Sequence, residues 1–98
     1  LFDWLNVQVD DLAQRENLPH RCLLTRRLHF LPDFLGNRSP LADPELRGAI
    51  HGLGFENPQG TDDLVRLYYA AIQATAYGTR AILEALNAKG YQIQKLHV

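Results

Sequence analysis

Between Phe34 and Pro44 the chain reads Phe-Leu-Gly-Asn-Arg-Ser-Pro-Leu-Ala-Asp-Pro, and this run holds its densest set of chemically capable side chains. Gly36 and Asn37 supply a chain reversal, and Pro40 and Pro44 fix φ on either side of a short hydrophilic arc. Asn37, Arg38, Ser39 and Asp43 put amide, guanidinium, hydroxyl and carboxylate groups on that arc. Such a set can grip a phosphate or a polyol. The same residue types also build a surface loop that satisfies its own polar groups, because Asn, Ser and Asp commonly bond nearby backbone. Both readings stand on the residues alone. Asp33 and Asp43 are the nearby carboxylates that a general base would need, but Asp before Pro44 is also a common turn arrangement.

Other chemistries find less support. His20, His29, His51 and His97 show no i,i+4 pairing, and one cysteine does not make a zinc site, so no metal site is expected. Cys22 sits among apolar residues and is expected to be a buried, inert thiol. Arg21, Arg26 and Arg27 can contact phosphate, but a solvated surface or an interdomain contact explains them as well. The glycines of the segment Arg47–Phe55 fall inside a strand pattern and do not open a helix, so they are no dinucleotide fingerprint.

Three blocks in order resemble the FGGY family of carbohydrate kinases, in its pentulose-kinase branch. They are the loop above, the segment Arg47-Gly48-Ala49-Ile50-His51-Gly52-Leu53, and the tract Ala70 to Arg80. Asn37 and the tract Ala71 to Arg80 look most like D-ribulokinase-type members. The resemblance implies an α/β fold, part of a ribonuclease-H-like domain of the sugar kinase and actin-like ATPase kind. It implies a parent that uses ATP and magnesium to phosphorylate a ketopentose such as ribulose, with xylulose or glycerol as alternatives. Gly36, Asn37, Arg38, Ser39 and Asp43 would line the substrate or nucleotide cleft. No catalytic residue is implied within the chain: in this family the catalytic Asp and first phosphate loop lie upstream, and a Gly-Gly segment that helps hold adenosine would follow Val98. Two departures stand out. The connection after Leu53 is longer than in the glycerol-kinase pattern, and Arg66 replaces a neutral or acidic residue. A non-catalytic interaction or scaffold module is the reading from another class.

At 98 residues the chain allows one modest core, and its 46% apolar and 21% charged composition is ordinary for a globular protein. A net charge of -1 gives no electrostatic case for nucleic acid or an anionic membrane. The single cysteine fits a cytoplasmic setting, and a homo-oligomer stays open. The chain has no methionine, begins at Leu1 and ends on Leu96-His97-Val98, so residues 1–98 are expected to be the first half of the kinase C-terminal domain, excised from a larger protein. A small protein processed from a precursor is the alternative.

The elements that must position the loop follow from periodicity. Phe2, Leu5, Val9 and Leu12 predict an amphipathic helix over Leu1 to Glu16, ended by Asn17, Leu18 and Pro19. Strands are predicted over Leu28 to Leu35 and Arg47 to Phe55, the second with Gly48, Gly52 and Gly54 leaving one face bare for close approach. Thr61 should cap a long helix running to about Lys89, with Gly90 just beyond it. Its predicted buried stripe is Leu64, Leu67, Tyr68, Ala71, Ile72, Thr75, Ile82, Leu83 and Leu86. Ala70 to Gly78 narrow its middle, where another element should cross. A last strand should begin at Tyr91.

Overall fold

The computed structural model describes residues 1–37, 41–55 and 60–96. The elements run α1 (Phe2–Arg15), a 3-10 turn (Arg21–Thr25), β1 (His29–Leu31), β2 (Ala49–His51) and α2 (Asp62–Ala88).

Helix α1 buries Leu5, Val9, Leu12 and Ala13, as the three- and four-residue spacing requires, while Phe2 stays exposed and stacks on Tyr68 at 6.2 Å. Its end is set at Asn17, the first of the three residues expected to end it. Asn17 adopts φ 55, its N–H donates to the Gln14 carbonyl at 3.1 Å, and Leu18 N–H donates to the Ala13 carbonyl at 3.1 Å. Those two bonds are the Schellman arrangement, which occupies carbonyls that have no partner inside the helix. Leu18 is thereby turned back onto the core. Helix α2 stops in the same way: Gly90 at φ 103 donates to Asn87, and Tyr91 N–H donates to the Leu86 carbonyl at 3.3 Å.

The core is a corner formed by α1, the 3-10 turn and the first half of α2. Leu5, Val9, Leu12, Ala13, Leu24 and Val65 form one buried cluster, with Leu18, Tyr68 and Tyr69 packed against it. Polar ties lock the corner from outside. Arg15 donates to Asp11 at 2.9 Å and to Asp62 at 3.0 Å, so one guanidinium joins the two helices. Hydrogen bonding to Asp62, then to Asp11, raises the Arg15 pKa and keeps the cation in place. Tyr68 donates its hydroxyl hydrogen to Asn6 at 2.8 Å, and Arg21 pairs with Asp10 at 3.1 Å.

The face that α2 buries differs from the expected stripe. Val65, Ala70 and Ala74 are buried, whereas Leu64, Ile72, Thr75 and Leu86 are exposed and Leu67, Tyr68, Ala71, Ile82 and Leu83 are partly covered. Ala70 and Ala74 face the 3-10 turn and β1, and with Cys22, Leu28 and Phe30 they line a groove of about 380 Å³ between these elements. Thr61 sits at the N-cap position but its side chain makes no capping hydrogen bond, contrary to expectation.

Strands β1 and β2 pair antiparallel with His29 opposite His51, Phe30 opposite Ile50 and Leu31 opposite Ala49. Each covers 3 residues, shorter than expected. Pro32 offers no N–H to extend the first ladder, and Gly52 at φ 88 turns the second strand away. The inner face is Phe30 and Ile50, both half-buried, while Ala49 and His51 are exposed. The bare glycine face does admit close neighbours. A Cβ on Gly48 would overlap the Phe34 ring, and one on Gly52 would overlap the Arg27 carbonyl. The expected last strand is absent from residues 91–96: with no strand alongside, Ile93 N–H donates to Asn87 Oδ1 at 3.0 Å and folds the segment back on the helix end. Residues 97 and 98 lie outside the described part.

Candidate functional site

The loop between β1 and β2 hangs from the two-stranded ribbon and is anchored by aromatic packing. Phe34 meets Phe30 edge to face at 5.8 Å and covers Gly48. Gly36 takes φ 86, and a Cβ there would lie 2.8 Å from the Pro44 carbonyl oxygen, so only glycine lets the two ends of the loop close together. Leu35, fully exposed, projects from the outward bend.

Asn37 is the brace of this arch. Its side-chain N–H donates to Asp33 Oδ1 at 3.0 Å, and its side-chain oxygen accepts from Leu41 N–H at 3.0 Å. Its backbone N–H donates to the Asp43 carbonyl at 2.8 Å, forming an antiparallel bridge across the loop. Asp43 Oδ1 accepts from Glu45 N–H at 2.9 Å, the local cap expected of Asp before proline. Ala42 at φ 51 completes the tight return. The structure therefore brings Gly36, Asn37 and Asp43 into one cross-braced unit, with Asp33 as a fourth member. Arg38 and Ser39 lie outside the described residues.

This geometry fixes a short arch that presents groups outward. It does not assemble a cation site: among the described residues no three or more His, Cys, Asp or Glu side chains cluster to hold a metal ion. Asp33 and Asp43, the carboxylates nearest the arch, each serve the loop's own amides. The described residues therefore do not fit a magnesium-nucleotide site by themselves.

Two features escaped the sequence reading. Arg66 reaches from α2 to the 3-10 turn, donating to the Leu24 carbonyl at 3.1 Å and pairing with Glu16 of the α1 end. It borders a cleft of about 310 Å³ shared with Arg26, Arg27, Leu53 and Phe55. Its position beside a leucine-rich helix face gave no local signal of this role. Cys22, expected to be buried, is exposed at the start of the 3-10 turn, where its N–H bonds His20 Nδ1 at 3.1 Å. The turn points residues 20–23 outward because Leu24 and Thr25 take the inward positions. Of the basic stretch, Arg26 donates to the Leu23 carbonyl at 2.9 Å, which is the local surface role.

The two helices and the two-stranded ribbon are consistent with part of a larger α/β domain. The chain belongs to the FGGY family of carbohydrate kinases: residues 2–98 match that family's C-terminal domain. It is 44% identical over 98% of its length to a human FGGY carbohydrate kinase domain-containing protein, covering 16% of that protein. It is 32% identical over 97% of its length to a D-ribulokinase of Saccharomyces cerevisiae, covering 13%. It is 43% identical over 76% of its length to a glycerol kinase of Brevibacillus brevis, covering 14%. The chain thus spans well under a fifth of the length of these relatives. No helix among the described residues is long and apolar enough to cross a membrane.

Proposed function

We propose that residues 1–98 form the first half of the C-terminal domain of an ATP-dependent kinase that phosphorylates a ketopentose, with ribulose as first choice. The observation that carries the reading is the cross-braced arch of Gly36, Asn37 and Asp43 in a chain of this family. The D-ribulokinase relative aligns along nearly the whole chain, which favours a pentulose. Glycerol is the second reading, supported by the glycerol kinase relatives. Xylulose and a non-catalytic scaffold role are weaker readings.

In this proposal the arch borders the cleft where sugar and ATP meet in the parent, and Arg38 supplies positive charge there. Phosphoryl transfer depends mainly on positioning and charge stabilisation, so a rigid arch serves it without supplying a base. ATP and magnesium are held by other segments of the parent, and the 98 residues alone are inactive. The setting is the cytoplasm, without nucleic acid or membrane as partner.

The test uses the parent enzyme with Arg38→Ala, assayed for ribulose-, xylulose- and glycerol-dependent ADP release. Loss of one charge-assisted hydrogen bond at the transition state should lower kcat/KM by roughly ten- to a hundredfold. Unchanged kinetics with a lowered Tm would assign Arg38 to the fold, and unchanged values of both would remove the arch from either role. A parent more active on glycerol than on ribulose would replace the first substrate with the second.

A further inference from the structure

We propose that Asp33 is a positioning residue for phosphoryl transfer, acting through the side chain of Asn37 to fix the arch at the cleft. The inference rests on the kinase reading. Asp33 stands where the ribbon hands over to the arch. Pro32 fixes φ just before it, and Phe34 just after it packs edge to face on Phe30 and covers Gly48. The Asp33 backbone carbonyl accepts from Gly36 N–H at 3.3 Å, and its Oδ1 accepts from Asn37 Nδ2 at 3.0 Å. Both Asp33 and Asn37 are half-buried.

The Asn37 amide has two orientations a half-turn apart, and its two partners select the same one. The Asp33 carboxylate only accepts, and Leu41 N–H, 3.0 Å from Asn37 Oδ1, only donates. Turned over, the amide would set oxygen against carboxylate and N–H against N–H. The bond to Asp33 is the charge-assisted one of the two, and such bonds are the stronger kind. Without it the Asn37 side chain is held by Leu41 alone, a member of the loop itself, and the ribbon loses its side-chain hold on the arch. Arg38, the cation of the proposed reaction, follows Asn37 directly in the chain. Phosphoryl transfer depends on where charge is placed, so a loosened Asn37 costs rate. Asp33 thus serves as a fixed acceptor and not as a general base.

The experiment measures sugar-dependent ADP release by the parent enzyme, at a temperature where circular dichroism shows each variant fully folded. Asp33→Ala should lower kcat and kcat/KM alike by about tenfold, with KM for the sugar unchanged, the pattern of an interaction realised in the transition state. Asn37→Asp should lower them at least as far, because it sets two carboxylates across the 3.0 Å that separates amide and carboxylate. Asp33→Asn combined with Asn37→Asp reverses the pair. The amide then donates from position 33, the carboxylate at position 37 still accepts from Leu41 N–H, and the net charge is that of the parent. This swap should return kcat to within about threefold of the parent, a difference of under 1 kcal/mol. A swap no better than Asn37→Asp alone would overturn the positioning role. So would an Asp33→Ala enzyme with lowered Tm and unchanged kcat, while Arg38→Ala lowers kcat; the kinase reading would then stand without it. If neither Asp33→Ala nor Arg38→Ala changes kcat, both fall together.

Discussion

The corner and the ribbon are held together by different physics. In the corner, Leu12 and Val65 retain 2% and 1% of their exposure, and six buried side chains share one cluster. In the ribbon and its arch no side chain is fully buried among the described residues; Phe30, Ile50 and Asn37 are only half-covered, and directional bonds and close backbone contacts set the shape. Apolar burial tolerates small rearrangements but contributes most of the free energy. Hydrogen-bonded loops contribute less and specify geometry more narrowly. The corner is thus the part that can set stability, and the arch the part that can set the position of functional groups.

The largest effect should come from emptying the corner. Leu12→Ala should cost about 2–5 kcal/mol, since a cavity adds to the lost transfer energy. Ile50→Ala in the ribbon, being half-exposed, should cost clearly less in the same urea titration. Equal costs would mean that the ribbon is as deeply packed as the corner.

Where the two regions meet, Ala74→Leu should cost roughly 1–3 kcal/mol by overpacking the seam between α2 and β1. Thermal melts measure it, and a Leu variant as stable as the original would place Ala74 toward solvent. In the arch, Asn37→Ala removes both side-chain bonds, each worth about 0.5–1.5 kcal/mol, so a loss of about 1–3 kcal/mol is expected. Amide hydrogen exchange should show faster exchange at Leu41 N–H, with the corner amides unchanged. Spread of the effect to α1 would show that arch and corner unfold as one unit.

The smallest effect sharpens the same contrast. Thr61→Ala should change stability by no more than about 0.5 kcal/mol, because the side chain makes no capping bond and the substitution falls in the surface class. A loss of about 1 kcal/mol, typical of a true cap, would mean that Thr61 does bond the first turn in solution.

Much of the local structure was legible in the chain. The α1 spacing located its buried face, Gly90 marked the end of α2, and the glycines of the second strand announced close approach. Asn37 and Asp43 were singled out as loop residues, and Asp before Pro44 does cap a local amide. The family was readable from the loop, the glycine-rich strand and the alanine tract together. These features depend on residues within a few positions of one another, where spacing and backbone preference act directly.

Other features were settled by contacts between distant segments. The α2 stripe was misplaced because periodicity counts large apolar residues, whereas Ala70 and Ala74 are buried by what packs on them. Cys22 faces out because Leu24 and Thr25 take the inward positions of a short turn. The opposition of His29 and His51, and the reach of Arg66 to Leu24, join residues with no relation along the chain. The sequence by itself determined the helix ends, the turn chemistry and the family, all of which short-range sterics and hydrogen bonding fix. Only the tertiary structure decided which faces are buried and which side chains meet, because those depend on segments far apart in the chain coming together around one core.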